Sequence, residues 1–342
     1  MTVKTISIVK FVGYALFATL FYAMTALVLM AFAFLANQQG TPYAIWPISS
    51  YQQYIYSRST RNIWQYQKDC ISVDQTLIYA PAHGTCTFSN IEFDTILTFD
   101  KNGRNVPARP TDTKKPGIAV LGDSHAMGWG VNDDETFANI LQMETDKPVY
   151  NLAVSSYGTQ RELRRLVHTG LIDKVDTIII QYCDNDLGEN ISKIDFEAEA
   201  AKFAATLESS IEPSERTFAN HLASILTTHA LRKSLTIPFR PIRAFFVELF
   251  GIKAKNFSPH FDALSAVFRE NEAALAGKQI LIFYSNAHGK KFDNFEEFSF
   301  DGMRNVKLID LDISRDQYFL LDDHLNAEGH RHIGTSLAKL VN

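Results

Sequence analysis

Four short stretches of this chain carry side chains that could together transfer an acyl group. Gly122-Asp123-Ser124-His125 places a hydroxyl directly after an apolar run. Gly158 falls in "NLAVSSYGTQ", Asn185 in "QYCDNDLGEN", and Asp322, Asp323 and His324 in "LLDDHLNAEGH". A serine hydroxyl is a weak nucleophile and needs a base within hydrogen-bond reach. His324 can take its proton and return it to a leaving alcohol. A carboxylate beside the imidazole fixes its tautomer and stabilises its charged form. The developing oxyanion needs preorganised donors, which the backbone N–H groups of Ser124 and Gly158 and the side-chain amide of Asn185 could supply. Each residue also has an ordinary reading. Gly-Asp-Ser is a common turn or helix cap, Gly158 a turn glycine, Asn185 a loop residue, and His324 a helix-flanking histidine like His330 and His332. Their types and order in the chain point to chemistry only when taken together. His125 adjoins Ser124 too closely to pair with it easily, so it is assigned to a pocket wall, and Asp123 to the turn.

The elements that must position these groups alternate along the chain. "GIAVLG", "PVYNLAV", "VDTIIIQYC", "QILIFYS" and "VKLIDL" are short apolar runs. "ETFANILQM", "TQRELRRLVHTG", a stretch from about Asp195 to Ala276 and a segment from about Ala327 have helical spacing. Five apolar runs alternating with helices predict a parallel sheet covered on both faces. In such sheets, ligands bind beyond the carboxyl ends of the strands, where all four stretches would meet.

The four blocks resemble those of the SGNH/GDSL hydrolase superfamily, over roughly residues 117–342. The resemblance implies a flavodoxin-like three-layer α/β/α fold with a five-stranded parallel sheet. It implies Ser124 as nucleophile and first oxyanion donor, Gly158 and Asn185 as further donors, and His324 as base, with no metal or organic cofactor. Two positions depart from the family pattern. Cys183 stands where the third block has glycine, and Leu321 stands three residues before His324, where the acid is usual. Asp322, two before, is assigned as the carboxylate, with Asp323 as the alternative; in an extended segment Asp323 would point away from the imidazole.

The chain has 342 residues, with 33 basic and 38 acidic side chains, for a formal charge of −5. That balance argues against a nucleic-acid-binding protein. Phe11 to Ala36 is uncharged, and at ~1.5 Å per residue it spans roughly 39 Å, more than a ~30 Å hydrocarbon core. Lys4 and Lys10 precede it and no charge follows until Arg58. This predicts a single-pass anchor at residues 1–36 in the bacterial inner membrane, with the remainder in the periplasm or outside. A cleaved signal peptide, with Ala31-Phe32-Ala33 at the cleavage site, is the other reading. Residues 37–116 read as an extension packing on the main domain, bounded by the proline-rich 107–117, and 117–342 as the main domain with a helical insertion at about 195–276. In an oxidising compartment Cys70 and Cys86 could form a disulfide, leaving Cys183 as a buried free thiol. Residues 231–255 hold six basic residues against Glu248 and could form a lid, a membrane-contacting element or an ordinary surface helix.

The expected activity is therefore an esterase acting on O-acyl groups, with acetyl on an envelope glycan as the expected substrate. Two other readings stand beside it. One is an O-acyltransferase working beside a multipass membrane acyltransferase, and the other is a non-catalytic glycan-binding scaffold.

Overall fold

The computed structural model describes residues 3–110, 114–209, 258–285, 300 and 305–341. The basic segment 231–255 and most of the expected helical insertion lie outside the described residues. The chain divides into two compact units. Among the described residues, one holds Arg61 and everything before it, with Leu320–Asp322. The other begins at Asn62 and takes the rest. The division falls at Arg61/Asn62, and strands from 84–104 share a sheet with the strands after residue 116.

In the first unit, α1 (Val3–Gln38) contains a window, Lys10–Gln38, that is long and apolar enough to cross a membrane, with a mean hydropathy of 2.1. Its apolar side chains stay open over most of that length. Phe11, Phe17, Leu20, Phe21 and Met24 are each more than three-fifths exposed. A helix that is apolar on all sides and uncovered suits a lipid surround better than water. Near its end α2 (Ile48–Ile55) packs back on it, with Tyr51, Tyr54 and Ile55 meeting Ala26, Met30, Ala33 and Phe34. Gln52 secures the return by donating to Asn37 Oδ1 (3.0 Å) and to the Thr41 carbonyl (2.8 Å). One further helical turn, Tyr56–Thr60, leads to Arg61.

The second unit is a sheet between two helical layers. Its strands include β1 (Ile71–Asp74) and β2 (Ile78–Pro81), which form a separate hairpin. They are followed by β3 (Gly84–Asn90), β4 (Phe93–Asp100), β5 (Gly103–Arg104), β6 (Gly117–Leu121), β7 (Val149–Asn151), β8 (Val175–Tyr182), β9 (Gln279–Tyr284) and β10 (Val306–Ile309). The main sheet runs β10-β9-β8-β6-β7-β5-β4-β3. The five expected apolar runs are its parallel part, and their order (second, first, third, fourth, fifth) is the flavodoxin-like one. The expected count of five is nonetheless wrong, since the sheet has eight strands among the described residues. The other three come from the segment read as an extension. β5 pairs antiparallel with β7 at Arg104↔Asn151, and β4 and β3 come after it in the sheet, covering an edge of the parallel part that would otherwise be open.

The parallel strands are nearly continuous apolar runs because both faces are covered. Ile118, Val120, Ile179, Leu281 and Phe283 face one way, toward α4 (Phe137–Thr145) and the C-terminal helix Ala327–Val341. The alternate residues Ala119, Leu121, Ile178, Ile180, Ile280 and Ile282 face the other way, toward the helices Thr159–His168 and Ser258–Glu270.

Candidate active site

Ser124 stands just past the carboxyl end of β6. Gly122 makes the turn at φ 144°, and a Cβ there would come within 2.7 Å of Ala126 Cβ and of Gln181 Oε1, so the position requires glycine. Asp123 serves the turn, as expected. Its N–H donates to Gln181 Oε1 (3.1 Å), and its Oδ1 caps the short helix α3 (Ser124–Met127) by accepting from the His125 N–H (2.9 Å). Ser124 is therefore the first helical residue, and its N–H has no partner within the helix.

His324 is held by the segment that leads into the C-terminal helix. Asn326 caps the C-terminal helix by accepting from the Gly329 N–H (3.0 Å), and the Phe319 N–H donates to the His324 carbonyl (3.0 Å). These bonds fix the backbone around His324, and its Nε2 lies 2.6 Å from Ser124 Oγ. Both residues are buried, at 5 % and 8 % exposure. The two groups lie two hundred residues apart in the chain and meet at nucleophile–base distance.

On the carboxylate side one expectation fails. Asp323 does not point away from the imidazole, because its Oδ1 stands 3.7 Å from His324 Nδ1, an ion-pair distance longer than a hydrogen bond. Asp322 is fully buried in the first unit. It accepts from the Tyr56 hydroxyl (2.5 Å) and pairs with Arg61 (3.4 Å). Neither Tyr56 nor Arg61 was singled out by the sequence, since partners so far away leave no local pattern.

The oxyanion donors also differ from one another. The Asn185 amide donates one hydrogen to Asp123 Oδ2 (3.1 Å), which places it beside the nucleophile turn with a second hydrogen remaining. The Gly158 N–H, expected to face the substrate, donates instead to Glu189 Oε2 (3.1 Å). Glu189 sits at the positive end of α5, the helix Thr159–His168. It also accepts from the N–H and the guanidinium of Arg161, the latter at 2.7 Å. A carboxylate is well placed at a helix N-terminus, but nothing in the sequence hints that Glu189 would come to it from a separate helix, Asp186–Asn190. Cys183 is a free thiol, as expected, but it is only half-buried. It donates to Asp123 Oδ2 (3.0 Å) and also meets the side-chain oxygen of Asn185. Burial and then Asp123 push the thiol well above its usual range.

Behind this turn lies a carboxyl-rich interior. Glu162 and Asp186 are fully buried, and both Glu162 oxygens and Asp186 Oδ1 lack a hydrogen-bond partner among the described residues. Burial pushes both well above the usual carboxylate range, and neighbouring carboxylates add to it: Asp186 and Asp123 act on Glu162, and Asp123 and Glu189 on Asp186. Donor atoms of Asp123, Cys183 and Asp186 come within 4.8 Å of one another, a spacing a cation could use. A cation there would have to displace the Cys183 thiol and the Asn185 amide from Asp123 Oδ2.

Aromatic rings surround the base. Trp129 stacks on the His324 ring, with centroids 4.5 Å apart and planes 8° apart, and His125 lies 4.7 Å from the same ring. The assignment of His125 to the wall of the site fits this position. His330 is buried and structural: it accepts from the Phe137 N–H (3.2 Å), and burial first and Arg104 next push it down to about 3. The Cys70–Cys86 disulfide is formed.

Comparison with known proteins adds little to this geometry. No family model matches the chain, and no curated protein matches it. One similar solved structure, from Desulfitobacterium hafniense DCB-2, is described as a "putative lipolytic protein of G-D-S-L family". It shares 12 % identity over 66 % of this chain and 100 % of its own, with a TM-score of 0.38. A likeness that distant carries no argument about fold or reaction.

Proposed function

We propose that this chain is a membrane-anchored serine esterase of the SGNH/GDSL type. It would remove O-acyl groups, acetyl foremost, from an envelope glycan. The observation that carries the reading is the 2.6 Å approach of Ser124 Oγ to His324 Nε2 in a buried setting at the carboxyl end of a parallel sheet.

In the reaction, Ser124 Oγ attacks the acyl carbonyl and its proton passes to His324 Nε2. The carbonyl oxygen becomes an oxyanion, met by the Ser124 N–H and the Asn185 amide. Collapse expels the alcohol, which takes the proton back from Nε2, and leaves acyl-Ser124. Water then repeats the sequence and frees the acid. Gly158 would join as a third donor only where its N–H turns from Glu189. The carboxylate on the imidazole is Asp322 or Asp323, and replacing each singly with asparagine separates them. The true triad acid is the one whose loss lowers kcat by orders of magnitude.

Two features support an outward-facing location. The formed disulfide suits an oxidising compartment, and the lysines before the apolar stretch favour a cytoplasmic N-terminus. The test is hydrolysis of an aryl acetate by the full chain in detergent. Wild type should turn over, and Ser124→Ala should fall to the uncatalysed rate. Equal turnover by the two proteins would contradict the reading.

A further inference from the structure

Trp129 has no part in the catalytic scheme above, yet it is among the most firmly held side chains near the site. It follows Ser124 by five residues, and its backbone N–H donates to the Ser124 carbonyl (3.1 Å). The edge of a second ring, Phe88, fixes its plane at 4.7 Å and 82°. The loop that carries it is clamped from below by Arg104, which is 2 % exposed. Arg104 Nη1 donates to the carbonyls of Met127 (2.6 Å) and Gly128 (2.5 Å), and Nη2 to that of Val131 (2.6 Å). Gly128 turns at φ 87°, and a Cβ there would meet Arg104 Nη1 at 2.6 Å. Backbone and ring are thus set independently, and the result is an indole lying flat on the His324 imidazole.

Flat stacking at this distance does more than fill space. When Ser124 attacks, its proton moves to Nε2 and a full positive charge spreads over the imidazole ring. The face of an indole is electron-rich and attracts a cation placed over it, more strongly where water is excluded. Trp129 itself is 2 % exposed. The attraction is present with the imidazolium and weak with the neutral ring, so it favours the transition state over the ground state.

We infer that Trp129 is a positioning residue of the site. Its indole face orients His324 and stabilises the imidazolium formed as Ser124 attacks. This inference rests on the serine esterase reading, and the experiment must separate the two.

The measurement is the rate at which the full chain in detergent is phosphonylated by an alkyl fluorophosphonate. The Ser124 Oγ–P bond forms, fluoride leaves, and the serine proton passes to His324. Trp129 is replaced site-specifically by indoles carrying one to four ring fluorines. They keep the shape of the side chain and progressively weaken its negative face. We expect the rate to fall steadily with each added fluorine. In aryl acetate turnover, Trp129→Leu should lower kcat roughly 3- to 30-fold with KM within about twofold, and Trp129→Phe should recover much of the loss. A label on Ser124 whose rate is indifferent to fluorination overturns the inference alone. Absence of any label on Ser124 in the wild-type chain overturns the esterase reading and the inference together. The fluorinated series leaves the packing intact, so an unfolded Trp129→Leu would not blunt the test.

Discussion

Two kinds of buried charged group flank the nucleophile turn, and they are treated in opposite ways. Arg104 sits below the loop after Ser124 with its contacts arranged. Three carbonyls accept from it, and Asp133 Oδ1 pairs with its Nε at 2.9 Å. Glu162 and Asp186 sit behind the turn with three of their four carboxyl oxygens unpartnered among the described residues. Burial disfavours charge in both places. At Arg104 the partners oppose it in part, and a guanidinium, whose ordinary range is far above neutral, stays charged and works as a clamp. At the carboxyl pair no donor set does so among the described residues, and neighbouring carboxylates add repulsion. The pair responds by holding on to a proton. A buried charge thus serves as a structural pin only where its hydrogen bonds are complete.

The largest expected effect is on the clamp. Arg104→Met would take the guanidinium donor from three buried carbonyls and the ion-pair partner from half-buried Asp133. We expect a loss of about 3–5 kcal/mol, seen as a lower denaturant midpoint. A loss below about 1 kcal/mol would mean that the loop is held by other means. The carboxyl pair should reveal itself through pH. The folded-state pKa is raised, so above the usual carboxylate range the native state keeps a proton that the unfolded chain has released. Stability should then be greatest in mild acid and fall as pH rises, by about 1.4 kcal/mol per pH unit for each retained proton. Glu162→Gln should flatten that slope and raise stability at neutral pH, measured by thermal unfolding from about pH 5 to 8. A steeper slope in the variant would refute the retained-proton account. The smallest effect belongs to Cys183, a weak donor. Cys183→Ala should cost about 1 kcal/mol or less in chemical denaturation and leave aryl acetate turnover within a few-fold.

The parallel half of the sheet was legible because β6, β8 and β9 are continuous apolar runs that need cover on both faces. The antiparallel half was not. β3 and β4 alternate buried and exposed residues in a stretch that reads as an appendage, and a single residue pair, Arg104↔Asn151, carries the sheet from β5 to the parallel strands. Ser124 and His324 could be found because each has its own local signature, an apolar run that stops short and a polar run that opens a helix. Glu189, Arg104 and Trp129 could not. Glu189 reaches Gly158 across 31 positions, and Arg104 reaches Gly128 across 24. Glu162 stands among arginines in "TQRELRRLVH", where an acid reads as a surface partner for those cations, and no local pattern turns its carboxyl group inward.

The central claim is that Ser124 carries the acyl group. Rapid mixing of the full chain in detergent with an aryl acetate, acid quenching and peptide mapping by mass spectrometry test it most directly. The account predicts an acetyl group on the Ser124 peptide and nowhere else. It predicts none in Ser124→Ala and formation slowed at least about 100-fold in His324→Ala. Turnover without an acetylated Ser124, or acetylation that proceeds unchanged without His324, would contradict it.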